Sequence, residues 1–441
     1  MKKIISFVLA FIFICSFAVQ SLATMQYVPS CELHSEAIYL ADENGNVLFE
    51  QNSRQRMYPA ELTQIMTAIV VIENIEQAGG WEAQGVYDMS IQNFLYDNRH
   101  GIIATGMLSG DIFTAEELFY DLVVAAGYDA AMILAKIVAG SQDAFVELMN
   151  EKAAEIGAKD TNFSNCNGLH DTANYTTAYD MYLISRYAMG LDKFREAVGK
   201  TSYICEETET HKKLIWNTFN GLIVSGNIHY YSPVMGIKAG FGSEIGRNIA
   251  SYAEYEGFSY YQIDLGAPFE LDDGFNLALV DAKNLYMWAF TEFEVKTIVE
   301  AGSQIAEVPL ELAWQKDHLP LTIGETYRAL LPIDIDVSSI SYEYDIPESV
   351  EAPIEEGEKI GALKLVLAGE TIGTVPLVAS ESVEQSDLLS GLKNFSDMTR
   401  SFWFKLILCF LGILITLYIA LMIIRNYNHR KYGNFKKKKR L

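Results

Sequence analysis

The feature that most constrains this chain is an uninterrupted uncharged run of 19 residues, 406–424, near its carboxy terminus. As a helix it rises about 28 Å, close to the hydrocarbon thickness of a bilayer, so it predicts a single membrane crossing. Trp403, Phe404 and Lys405 precede the run, and Arg425, Arg430, Lys431, Lys436, Lys437, Lys438, Lys439 and Arg440 follow it. Cations gather on the cytoplasmic side of a span, which puts the basic tail, residues 425–441, inside the cell and everything before the span outside. The tail reads as a stop-transfer flank with no ligand of its own. The amino terminus agrees: Lys2 and Lys3, an apolar stretch over 4–19, and Ser21-Leu22-Ala23 predict a secretory signal peptide over residues 1–23. Cys15 lies behind Ile12-Phe13-Ile14 rather than the small residues of a lipoprotein signal, so no lipid is expected there.

The formal charge of −24 conceals an asymmetry. With Lys2, Lys3, Lys405 and the eight cations of the tail set aside, 22 basic residues face 57 acidic ones between residues 24 and 400. So acidic an exported region gains nothing from nucleic acid or anionic wall polymers by bulk charge, and nucleic acid is excluded as a partner. Its cysteines are Cys31, Cys166 and Cys205; an odd number leaves at least one unpaired, and the sequence does not say whether any two meet. The histidines are scattered without metal-ligand spacing, so neither a metal nor a cofactor is expected.

The exported part, roughly 375 residues, is too long for one core, and two domains are expected. Residues 24–293 mix helical and strand patterns. Residues 36–41 and 47–50 predict a hairpin around Glu43-Asn44-Gly45-Asn46, where Asn-Gly tolerates positive φ. Pro59 opens a helix expected to run to about residue 77, before Gly79-Gly80. Thr114-Ala115-Glu116-Glu117 is a capping box whose helix breaks near Gly127, with further helices over 129–138, 141–156 and 177–189. Strands are expected at 234–238, 248–253, 260–264 and 278–280. From 294 to 385 short alternating strands between Gly and Pro turns predict a small all-β domain, and residues 386–405 a polar stalk before the membrane helix at 406–424.

Ordered motifs then point to a family. Tyr58-Pro59-Ala60-Glu61-Leu62-Thr63-Gln64-Ile65-Met66-Thr67 resembles Pro-Ala-Ser-x-Thr-Lys-x-Met-Thr of the serine D-Ala-D-Ala carboxypeptidases, the low-molecular-mass penicillin-binding proteins of peptidase family S11. Ala126-Gly127-Tyr128-Asp129-Ala130-Ala131 stands where that family has Ser-Gly-Asn-Asp-Ala-Ala, Asn165-Cys166-Asn167-Gly168-Leu169 where it has Asn-Pro-His-Gly-Leu, and Gly236-Ile237-Lys238-Ala239-Gly240-Phe241 where it has Gly-x-Lys-Thr-Gly-Phe. The resemblance covers residues 34–385. It implies an α/β (α+β) penicillin-binding-protein or β-lactamase-like domain followed by the small all-β domain and one transmembrane helix.

The chemistry that the resemblance implies needs a serine hydroxyl at a helix start, a lysine one turn later to take its proton, a second Ser and Asn across the cleft, and Lys-Thr-Gly on an edge strand. Here the nucleophile position holds Glu61 and the base position Gln64, whose amide takes up no proton at neutral pH. Ala126 has no hydroxyl, Tyr128 is far larger than Asn, and Ala239 lacks the threonine hydroxyl. Lys238 and Gly240 persist. Removing one nucleophile or base from a serine hydrolase costs on the order of a million-fold, and further losses add little. The expected protein is therefore a non-catalytic, single-pass envelope protein that binds a peptidoglycan peptide or a wall-synthesis partner. The alternatives are an active carboxypeptidase with an altered centre, using Glu61 as acid or base, and an assembly scaffold whose cleft is vestigial.

Several other matches carry no expectation of chemistry. Ser390-Gly391-Leu392-Lys393 has Ser-x-x-Lys spacing but lies in the stalk, and Ser225-Gly226-Asn227 falls in a loop. Thr63 and Thr67 are expected to pack or to bond the helix backbone. For Glu61 two arrangements are open: charge complementation at a helix amino terminus, or an ion pair with Lys238 beneath the ring of Tyr128.

Overall fold

The computed structural model describes residues 27–97, 105–242, 244–269 and 276–437, with side chains described as far as residue 427. The signal peptide expected over 1–23 and most side chains of the basic tail lie outside these. The chain divides into two compact units after Phe293.

The first unit opens with the hairpin β1 (Ala37–Asp42) and β2 (Val47–Gln51). Its turn is held by the Asp42 carboxylate, which accepts from the N–H groups of Asn44 and Asn46 at 2.8 Å each, with Gly45 at φ +89°. A 3-10 turn, Ala60–Leu62, leads into α1 (Thr63–Asn74). All nine residues from 63 to 71 are buried, because the helix is apolar on every side and only the centre of the unit can accommodate it. The expected single helix from Pro59 is thus a 3-10 turn followed by a helix that stops at Asn74.

Next come β3 (Gln84–Val86), α2 (Met89–Asp97) and β4 (Ile112–Thr114). The capping box closes as expected: Glu117 N–H donates to Thr114 Oγ1 at 3.2 Å, and Thr114 N–H to Glu117 Oε2 at 2.9 Å, starting α3 (Ala115–Tyr120). α3 runs on into a π-turn, Asp121–Ala125, which ends on Ala126 in the left-handed region. Helices α4 (Tyr128–Ala139), α5 (Gln142–Ile156), α6 (Ala178–Met189) and α7 (Asp192–Val198) follow, then the hairpin β5 (Ser202–Cys205) and β6 (Leu214–Asn217).

Strands β7 (Val234–Gly242), β8 (Gly246–Tyr255) and β9 (Phe258–Ala267) complete an antiparallel five-stranded sheet in the order β2-β1-β9-β8-β7. Side chains alternate faces along a strand, so neighbours Tyr260 and Tyr261 point opposite ways. Tyr261 and Tyr39 meet Tyr182 of α6, whereas Tyr260 faces the side of α8 (Leu277–Thr291) through Phe290. Helices therefore cover both faces of the sheet. The strand expected at 278–280 is the start of α8: a short apolar run does not distinguish strand from helix, and the spacing of the buried Ala278, Ala282, Leu285 and Ala289 is helical. β7 lies at one edge of the sheet, beside the 3-10 turn, and this places the Lys238-Ala239-Gly240 segment next to Glu61.

The second unit is all-β up to residue 379. Its six-stranded sheet runs, edge to edge, Ser341–Asp345, Lys359–Leu367, Glu370–Ala379, His318–Ile323, Gln304–Glu311 and Val350–Glu351, and Phe293–Val299 pairs with Tyr327–Pro332. Leu319, Leu321, Leu363, Leu365, Val375 and Leu377 are its fully buried centre. The stretch read as a polar stalk contains a helix, α9 (Asp387–Arg400), capped where Ser386 Oγ accepts from Leu389 N–H. Ser390 and Lys393 lie on it, and Lys393 pairs with Glu351, which disposes of the Ser-x-x-Lys match. The last helix, α10 (Phe402–Lys437), contains a 26-residue segment, Phe402–Tyr427, whose most apolar 18-residue window has mean hydropathy 2.9 and is wholly unburied, long and apolar enough to cross a membrane.

Candidate functional site

The motif positions converge on one buried spot where the 3-10 turn, the end of the π-turn and the edge strand β7 meet. Glu61 sits in the middle of the 3-10 turn and is completely inaccessible. Its Oε1 accepts from the Tyr128 hydroxyl at 2.7 Å and its Oε2 from the Phe241 N–H at 2.8 Å. Burial pushes the Glu61 carboxyl above the usual carboxylate range, against the pull of Tyr128, of its own and the Phe241 N–H, and of Lys238. Backbone donors from a helix start and an edge strand, both acting on one carboxylate, are the kind of arrangement that stabilises an oxyanion. Here the acceptor is the protein's own side chain.

The close packing depends on two glycines. A β-carbon on Gly240 would lie 2.8 Å from Glu61 Oε2, and one on Gly168, at φ +87°, would lie 2.5 Å from the Ala60 carbonyl oxygen. Ala60 itself holds φ +50° and Ala126 φ +59°, so non-glycine residues in the left-handed region border the spot on both sides.

Gln64, one turn after Glu61, donates to the carbonyls of Asn167 at 2.8 Å and Ala126 at 3.2 Å, tying the loop 165–169 and the π-turn to α1. Its Oε1 is buried with no partner among the described residues. Thr67 donates to the Cys166 carbonyl at 2.6 Å and Thr63 accepts from Asn174 at 3.1 Å, so both threonines serve packing. Tyr128 is 2% exposed, and burial with the Glu61 carboxylate pushes its phenol far up.

Lys238 forms no ion pair with Glu61. Its ammonium instead donates to the carbonyls of Leu122 at 2.8 Å and Val123 at 3.2 Å, two acceptors freed by the π-turn. Burial pushes its pKa down to about 7, opposed by Glu61 and Asp121. The expected pairing under Tyr128 is therefore half right: the ring of Tyr128 fills the space, but its hydroxyl and a main-chain N–H hold the carboxylate. The helix-terminus alternative is met in part: Glu61 lies in the first turn and its own N–H favours the carboxylate, while Oε2 also reaches across to β7.

Asp121 was missed. It is fully buried in the π-turn, and burial, then Asp129, push it well above its usual value against the pull of Thr105 and Lys238. A lone acid inside the apolar run 118–125 was the available signal. Asp129 accepts from Thr105 Oγ1 at 2.9 Å and is pushed up to about 6 by burial. Ala239 and Gly240 are buried as well. At the seven positions Glu61, Gln64, Ala126, Tyr128, Lys238, Ala239 and Gly240, the one hydroxyl present is a phenol already donating to Glu61.

Helices on both faces of an antiparallel sheet, followed along the chain by an all-β unit, define the class of low-molecular-mass penicillin-binding proteins. The fold is shared with penicillin binding protein 5 of Haemophilus influenzae (TM-score 0.58, 24% identity, 81% of this chain and 100% of that one) and with the D-alanyl-D-alanine carboxypeptidase DacD of Francisella tularensis (0.60, 21%, 82% and 97%). Residues 23–268 match the D-alanyl-D-alanine carboxypeptidase family and residues 293–385 the C-terminal domain of penicillin-binding protein 5, and the chain belongs to that carboxypeptidase family. Among curated relatives, DacF of Bacillus subtilis is 25% identical over 91% of this chain and 100% of its own length, and DacA of Escherichia coli K12 26% identical over 85% and 89%. Both are named D-alanyl-D-alanine carboxypeptidases.

Proposed function

We propose that this chain is a non-catalytic member of its family, held at the outer face of the cell membrane by the segment 406–424, and that it engages peptidoglycan or a wall-synthesis partner without forming an acyl-serine. The observation that carries this reading is the Glu61 carboxylate at the nucleophile position, with one oxygen on the Tyr128 hydroxyl and the other on the Phe241 N–H. An acyl carbonyl arriving there would need both the space and the N–H. A buried carboxylate would also repel the carboxylate of a D-Ala-D-Ala terminus. Gln64 cannot stand in as base, and Lys238 is spent on the Leu122 and Val123 carbonyls. With the cleft closed by Tyr128, wall material or a partner meets another surface of the ectodomain.

The second reading, an active carboxypeptidase with an altered centre, is favoured by the names its relatives carry. It requires Glu61 to act as acid or base on a peptide that enters behind Tyr128. Labelled penicillin separates the two. No covalent adduct on the purified full chain supports the first, and an adduct lost in Glu61→Ala establishes the second.

A further inference from the structure

Away from the closed cleft the fold assembles a second group of chemically capable side chains. Cys205 ends β5, His211 lies in the loop returning to β6, and both rest against Glu117 at the start of α3. One atom from each lies within 4.8 Å of the other two. His211 and Cys205 are 5% and 1% exposed, and the Glu117 side chain 18%.

The hydrogen bonds around them assign the free electron pairs. His211 Nδ1 is 3.1 Å from the Lys212 carbonyl, a bond only an N–H can make, and in the neutral ring that tautomer leaves the lone pair on Nε2. That lone pair looks at Glu117 Oε1 from 3.5 Å. Oε2 of the same carboxylate is committed to the N–H and hydroxyl of Thr114, at 2.9 Å each, and the Cys205 thiol is a further hydrogen-bond partner of Glu117. Cys205 Sγ lies 4.0 Å from Nδ1 of the His211 ring, on the flank of the imidazole. An imidazole nitrogen facing a carboxylate oxygen in a buried place, with a sulfur alongside, needs a proton or a metal ion between them. The ring is fixed by stacking on Phe113 at 4.3 Å. The partners on Nδ1 and Oε2 are what orient metal-binding histidines and carboxylates elsewhere.

We propose that Cys205 Sγ, His211 Nε2 and Glu117 Oε1 form a three-ligand site for a zinc-class divalent cation, with water in the fourth position. A tetrahedral zinc with these donors spaces its ligands about 3.3–3.6 Å apart. The N–O pair already sits at that distance, and the sulfur, within 4.8 Å of both residues, has to close in, a movement available to a hairpin loop. Binding forms the zinc–sulfur bond and releases the thiol proton to solvent. The bound ion would fasten β5–β6 to the helix that runs into the π-turn, and so brace the wall that ends at Ala126. Spacing along the chain could not suggest this, because the carboxylate belongs to a helix far upstream of the Cys and His; the proposal departs from the expectation of no metal.

The test uses the full chain in detergent, stripped with a chelator and dialysed against Zn²⁺ alone, with retained metal measured by elemental analysis. Equimolar zinc is expected, lost in Cys205→Ser and in His211→Gln and kept in Cys166→Ser, which removes a buried thiol elsewhere. Replacement by Co²⁺ should give a thiolate-to-cobalt charge-transfer band. Zinc no higher than the dialysis blank overturns the proposal, as does zinc retained by both ligand variants. If those variants misfold, cobalt bound to the unaltered chain without a thiolate band overturns it on its own.

Discussion

Replacing Tyr128 by Phe removes one oxygen from the sealed centre and leaves the ring that fills it. The lost contact is a hydroxyl 2.7 Å from a fully buried carboxylate oxygen. Hydrogen bonds to charged groups contribute about 1.5–3 kcal/mol, and nothing can replace this one from solvent, so Tyr128→Phe is expected to lower stability by that amount. In a unit of this size the corresponding fall in melting temperature is roughly 3–12 °C. Glu61→Gln should cost a similar amount, because its single carbonyl can satisfy only one of the two donors, Tyr128 O–H or Phe241 N–H. If the carboxylate–phenol contact is the origin of both losses, they will not add: a double-mutant cycle should return a coupling of about 1–2 kcal/mol. Urea denaturation of the full chain in detergent, followed by near-ultraviolet circular dichroism, supplies the four free energies. A Tyr128→Phe loss below about 0.5 kcal/mol, or losses that add, would refute the claim that this contact closes the site.

Three further outcomes are expected. Asp129, pushed up to about 6, contributes stability that is full below its unfolded value near 4 and lost as pH rises through 6; Lys238, pushed down to about 7, contributes stability that is full above its unfolded value and lost as pH falls through 7. Melting temperature against pH should therefore show a trough between about 6 and 7 whose alkaline side flattens in Lys238→Met, and an unchanged alkaline side would contradict the burial of that ammonium. Gly168→Ala should cost about 2–4 kcal/mol in the same denaturation assay, since the residue must hold φ +87° with its β-carbon 2.5 Å from the Ala60 carbonyl; a neutral substitution would mean that loop and turn are not in contact. Finally, the combined variant Glu61→Ser, Gln64→Lys, Ala126→Ser, Tyr128→Asn and Ala239→Thr should take up labelled penicillin whereas Glu61→Ser alone should not, and equal labelling of the two would contradict the need for the whole set.

Much of the architecture was legible because the motifs come in family order and each marks a place where three elements meet. The capping box at Thr114 and the hairpin turn at Asp42 are local devices whose partners lie within four residues, and these the sequence states directly. The 278–280 segment was misread because three apolar residues carry no period. Within the site, residue types were readable and partners were not. That Glu61 is held by Phe241 could not be inferred, since the donor is a main-chain N–H that every residue but proline possesses. The destination of Lys238 depended on a π-turn that frees carbonyls at Leu122 and Val123, and nothing in the residue pattern announces a π-turn. Tyr128 was the exception: its bulk at a position where the family carries Asn implied a filled cleft.

The backbone around the site keeps the left-handed residues Ala60 and Ala126, each costing on the order of 1 kcal/mol. Such strain usually persists where chemistry needs it. Here it presents a carboxylate to a phenol and an N–H, and that substitution of an internal anion for a reacting one is the centre of the account. The most direct measurement is release of D-alanine from a pentapeptide wall fragment by the purified full chain, beside an active carboxypeptidase of the family. The account predicts no release above the uncatalysed background at any pH between 5 and 9. Turnover at a rate comparable with the active relative, abolished by Glu61→Ala, would contradict it.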